Sequence, residues 1–153
     1  MKIEIMNQTR SINLLQNSIK KTIKIILDTL SINDVNLSIL FCGKKFMQYL
    51  NNTYRGKNNP TDVLTFVYEE NSSKEKNPIS DEIPFGDIVI CPVIAKKQCH
   101  LYNNDINTEI KRLLIHGLLH LFGYDHEKSK IAEKKMFDLQ EMLLTKIKGI
   151  KVC

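Results

Sequence analysis

No stretch of this 153-residue chain approaches eighteen consecutive apolar residues, so no membrane-spanning helix is expected. The opening residues, MKIEIMNQTRSIN, lack the apolar run of a secretory signal, and a cytoplasmic location is the default expectation. Cysteine is sparse and never paired as C-x-x-C. Cys42, Cys91, Cys99 and Cys153 are widely spaced, which disfavours a cysteine zinc site or a disulfide framework. They read as reduced, mostly buried thiols, with the terminal Cys153 loose. No internal repeat or low-complexity domain is visible. Arginine is scarce as well: Arg10, Arg55 and Arg112 stand among 22 basic residues. The rest are lysines, and isoleucine and asparagine are abundant, a pattern that A+T-rich codons alone can produce. The net charge of +5 and pI of about 9.0 suit a polyanionic partner, but that bias lowers the weight of charge as a functional signal.

What is present reads as one globular domain spanning residues 1–153, with 42% hydrophobic and 25% charged residues. Residues 2–6 alternate and suit a strand. Apolar residues at Ile12, Leu15, Ile19, Ile23, Ile26 and Leu30 predict a helix from Ser11 to about Leu30. Residues 35–41 form a second strand candidate. A short helix from Gly43 to about Thr53 would turn Phe46, Met47 and Leu50 inward. Strands are predicted at Val63–Tyr68 and Gly86–Cys91, with Pro92 opening a helix towards Asn103. A further helix covers about Thr108 to Phe122. The last runs from about Ser129 to Lys148, burying Ile131, Met136, Leu139, Met142, Leu143 and Ile147. Residues 69–84 are polar and turn-rich, the mark of an exposed loop. This order predicts an α/β (α+β) fold, a mixed four-stranded sheet packed by about five helices.

Three of the four histidines lie in the run HGLLHLFGYDH, as His116-x-x-x-His120-x-x-Gly123-x-x-His126. Residues four apart on a helix share a face, so both imidazoles of His116 and His120 can reach one ion. Gly123 can take a left-handed conformation, end the helix and return the chain so that His126 supplies a third ligand. Three imidazoles leave the fourth tetrahedral position open, as in catalytic zinc sites. The scaffold is that of a zincin-like metal helix, but the glutamate that serves as general base in H-E-x-x-H proteases is missing. Gly117 stands in its place, which disfavours peptide hydrolysis by that route.

A second loaded stretch is LNNTYRGKNNPTDVLTF, residues 50–66. Arg55 on a loop beside a metal would suit phosphate, because a guanidinium binds two oxygens at once and stays charged. An ordinary surface arginine paired with a carboxylate such as Asp62 fits the same spacing. Asp125 and Asp87 are candidates to orient a ligand imidazole or a water. A turn role for Asp125 and a strand-end hydrogen bond for Asp87 are the alternatives. His100 lies outside the motif on a surface helix.

Together, YRGKNNPTDVLTF at 54–66, FGDIVIC at 85–91 and HGLLHLFGYDH at 116–126 resemble the YbeY family of bacterial and organellar endoribonucleases, also called rRNA maturation factors. The resemblance covers most of the chain. It departs mildly at Phe122, where the family more often has leucine. It implies that His116, His120 and His126 bind one Zn2+ and that Arg55 is catalytically important. It also implies a zinc-dependent endoribonuclease acting on single-stranded RNA. The implied partners are ribosomal RNA and the small ribosomal subunit, in 3′-end maturation and ribosome quality control. Neither DNA nor a membrane is an expected partner. A ribosome-assembly factor with mainly structural zinc, and a metal-dependent hydrolase of another bond, are the competing readings. Imidazoles also suit nickel and copper, so zinc is preferred on geometry and availability.

Overall fold

Strand alternation and helical periodicity divide the apolar residues between two faces of a sheet. The computed structural model describes residues 1–68 and 85–153; the loop expected at 69–84 lies outside the described residues. The elements are β1 (Lys2–Asn7), α1 (Gln16–Thr29), β2 (Asn36–Phe41), α2 (Lys44–Arg55) and β3 (Val63–Tyr68). They continue as β4 (Phe85–Ile90), α3 (Pro92–Leu101), α4 (Ile106–Leu121) and α5 (Lys130–Lys146). The four strands form a mixed sheet in the order β1-β2-β4-β3. β1, β2 and β4 are parallel, and β3 runs antiparallel to β4 on the edge.

Because side chains alternate along each strand, one face carries Ile3, Ile5, Leu37, Ile39, Phe41, Ile88 and Ile90. The main core forms there against Ile19, Ile23 and Ile26 of α1, Leu114 and Leu118 of α4, and Met136 and Leu143 of α5. The opposite face carries Leu40, Cys42, Leu64, Phe66, Val89 and Cys91. It packs on Met47 and Leu50 of α2 and on Val93 and Ile94 of α3. β4 is thus covered on both sides, which explains the apolar run Ile88-Val89-Ile90-Cys91 at its end.

Several elements differ from the sequence reading. α1 begins at Gln16 rather than Ser11: residues 11–15 are not helical, and the Leu15 N–H donates to the Val152 carbonyl at 2.9 Å. The C-terminus is correspondingly tied down, not loose: Val152 is fully buried, and its N–H donates to Asn107 Oδ1 at 2.7 Å. Cys153 is half-buried, and Cys42, Cys91 and Cys99 are buried and unpaired. Phe46 points outward from α2 instead of inward. On α5 the buried face is Met136, Gln140 and Leu143, continued by Ile147, whereas Ile131 and Met142 are exposed. Met136, Leu139, Leu143 and Ile147 pack inward as expected, and a polar residue, Gln140, shares that inward face.

Candidate metal centre

α4 starts cleanly because Asp105 caps it. Its carboxylate accepts from the Thr108 N–H at 2.8 Å and from Thr108 Oγ1 at 2.9 Å. The helix then runs under the sheet with Gly117 against β4. A Cβ at that position would lie 2.9 Å from Ile88 Cγ2. The residue that bears the general base in H-E-x-x-H proteases therefore faces the sheet here, with no room for a side chain. Gly123, at φ 88°, ends the helix, its N–H donating to the His120 carbonyl at 3.0 Å. The reversal returns His126 to the histidines of α4.

His116, His120 and His126 each offer one ligand nitrogen, and these atoms lie within 4.8 Å of one another. The Nε2 atoms of His116 and His120 are 3.0 Å apart. Tetrahedral ligands with bonds of 2.0–2.1 Å sit about 3.3 Å apart, so the pair is close to coordination spacing. His126 Nδ1 is buried without a hydrogen-bond partner among the described residues. A buried imidazole nitrogen left so is costly in a purely structural cluster. The chemistry and geometry of the donor set fit a divalent metal ion.

Electrostatics favour the ligand form. Burial first, then the neighbouring His120, hold His116 down to about 4. Burial and His126 likewise lower His120. Both imidazoles are neutral at pH 7, the state that binds metal. The orientation of His116 is set from α5: its Nδ1 lies 3.2 Å from Gln140 Oε1, so an N–H there donates to the amide and leaves Nε2 to the centre. Gln140 is buried. Sequence reasoning missed it, because Gln140 belongs to no spacing motif and its partner lies 24 residues away. A polar residue breaking the buried stripe at Met136, Gln140 and Leu143 is the signal that could have found it.

Arg112 lies one turn before His116, and its guanidinium donates through Nε (3.0 Å) and a terminal nitrogen to Glu109, whose side chain is fully buried. Its positive charge adds to the lowering of His116.

The other candidates are placed differently. Asp125 accepts from the Glu127 N–H at 2.9 Å and shapes the turn before His126. Asp87 faces away from α4. Its carboxylate accepts from Ser38 Oγ and from the Tyr68 hydroxyl, each at 2.5 Å. Neither aspartate is hydrogen-bonded to a histidine among the described residues. His100 is exposed on α3. Arg55 is the last residue of α2, exposed, with Gly56 in the left-handed region (φ 67°) closing the helix. Its loop is held by Gln48 and Asn51, whose amides donate to Asn58 and Asn59. Asp62 does not pair with Arg55, since its side chain accepts from the Val63 N–H at 2.8 Å and from Thr61. Arg55 and the triad lie on elements packed against opposite faces of the sheet. No hydrogen bond joins them among the described residues.

No helix among the described residues is long and apolar enough to cross a membrane. A sequence model of the family described as Endoribonuclease YbeY matches residues 2–148. An Endoribonuclease YbeY from Borreliella afzelii is 41% identical over 125 residues, covering 82% of each chain. One from Thermotoga maritima is 32% identical over 147 residues, covering 96% of this chain and 89% of its own. Among solved structures, the solution structure of TM1509 from Thermotoga maritima superposes with a TM-score of 0.67 at 31% identity. It covers 96% of this chain and 89% of that one.

Proposed function

Because the chain belongs to the Endoribonuclease YbeY family, we propose that it is a zinc-dependent endoribonuclease that hydrolyses single-stranded RNA. Its proposed cellular role is the 3′-end maturation of small-subunit ribosomal RNA and ribosome quality control, as one domain in the cytoplasm. The observation that carries the reading is the convergence of His116, His120 and His126 on one point. Those three imidazoles would hold zinc, and Gln140 would keep His116 in the ligating tautomer. When bound, the ion supplies a Lewis acid able to activate water near neutral pH. Arg55 is the proposed phosphate-binding catalytic residue. It carries a permanent charge in a planar fork, stands at a capped helix end, and has no ion-pair or hydrogen-bond partner among the described residues. Gly117, pressed on Ile88, argues against peptide hydrolysis by a glutamate base.

Metal analysis combined with an RNA-cleavage assay tests this. Arg55→Ala should keep zinc and fold and lose cleavage of single-stranded RNA; unchanged cleavage removes Arg55 from the mechanism. His120→Ala should release the metal and abolish activity. If zinc-loaded wild type cuts no RNA while mutants still block rRNA maturation, the reading becomes a ribosome-assembly factor whose zinc is mainly structural.

A further inference from the structure

The exposed side of α2 is unusual in composition. Phe46 and Tyr49 are 41% and 61% exposed, with ring centroids 6.2 Å apart and planes inclined by 19°. Tyr54, 65% exposed, meets Phe66 edge-on at 5.0 Å and carries the aromatic surface on to β3. The helix already buries Met47 and Asn51 against the sheet, so these outward rings are not required by packing. Exposed rings side by side mark an interaction surface more readily than scattered single residues do. Along this stretch of chain the charge has one sign. Lys44, Lys45, Arg55 and Lys57 are exposed, and no aspartate or glutamate occurs between Asp34 and Asp62.

We propose that this outward face of α2 docks single-stranded RNA, with bases stacking on Phe46 and Tyr49 and phosphates held by Lys44, Lys45 and Lys57. The proposal rests on the RNA-cleaving reading above and extends it to a surface outside the histidine triad. Aromatic platforms flanked by exposed lysines suit a polyanion whose base faces are uncovered. A duplex keeps those faces inside its stack. An acidic protein surface would satisfy the lysines and leave the stacked rings unused. Stacking is tolerant of sequence, so the surface supplies affinity, not base specificity.

The test uses the full zinc-loaded chain and a labelled single-stranded oligoribonucleotide, with binding read by fluorescence anisotropy across a salt series. Phe46→Ala combined with Tyr49→Ala should weaken binding at least about fivefold, the loss expected from one stacked base. Lys44→Ala with Lys45→Ala should flatten the salt dependence by roughly one to one and a half in the logarithmic slope. Both variants change exposed side chains and should retain zinc and the wild-type circular dichroism. The chain has no tryptophan, so Phe46→Trp places a single indole on the face. It should keep the affinity and be quenched by RNA. Unchanged affinity in the alanine pair, or an indole unaffected by saturating RNA, overturns the proposal. If wild type cuts RNA and the alanine pair binds and cuts equally well, the surface fails and the nuclease reading stands. If wild type neither binds nor cuts RNA, both fail.

Discussion

Gln140 commits its buried amide to His116, accepting from Nδ1 at 3.2 Å and leaving Nε2 aimed at the centre of the triad. Outer partners of this kind tune metal affinity by about 10- to 100-fold. Gln140→Leu should weaken zinc binding by a factor in that range, measured by competition with a chelator, and Gln140→Glu, which keeps an acceptor there, should restore it. Equal affinity for the leucine variant would remove Gln140 from the site. His116 also predicts a pH dependence. Histidine ordinarily titrates near 6.5, and burial, with His120 next, holds this one down to about 4. The unfolded chain therefore takes up a proton in a range where the folded chain resists it. The contribution to stability is fully present above about 6.5, declines as pH falls towards about 4, and is lost below that. Denaturant titration of metal-free protein should follow that decline, and a His116→Asn variant should show less of it. The candidate ligands His116 and His120 were legible in the sequence because a helix places residues four apart on one face whatever it packs against. Gln140 was not, because its partner lies 24 residues away on another helix.

Among the elements, α4 carries the site, and its closeness to β4 depends on Gly117. Adding a methyl there meets Ile88 at 2.9 Å in a fully buried region. Overpacking of this kind costs about 1–3 kcal/mol, against a gain of about 1 kcal/mol from replacing glycine within a helix. Gly117→Ala should therefore lower stability by up to about 2 kcal/mol, read from the urea midpoint; a more stable variant would mean that Ile88 yields freely. The periodic pattern located α4 to within two residues at its start and one at its end, since apolar spacing and the Asp105 cap agree. It misjudged α5, where Ile131 and Met142 face solvent and Gln140 faces inward. Hydrophobic spacing does not mark a buried polar residue such as Gln140, whose partner His116 lies on another helix.

For the molecule as a whole, Lys111 joins the middle of α4 to the C-terminal segment. Its buried ammonium donates to the carbonyls of Ile147 (3.2 Å), Lys148 (3.0 Å) and Ile150 (3.1 Å). Burial pushes its pKa down, but three acceptors at the end of α5 suit a cation. Lys111→Met leaves those carbonyls without their donor and should cost about 2–3 kcal/mol in urea denaturation. Amide exchange at Val152 should quicken as well. A neutral result would show that water replaces the ammonium without cost. The sequence by itself determined the order of the elements, the strand periods and the three-histidine frame, because those follow from covalent spacing along regular backbone. Only the tertiary structure decided that Gln140 and Lys111 are buried working groups, that Gly117 leaves no room for a base, and that Phe46 faces outward. It also left Arg55 free of Asp62, and packed its helix and the triad's against opposite faces of one sheet. Each of those outcomes depends on which residues distant in the chain come into contact, and neither periodicity nor composition carries that information.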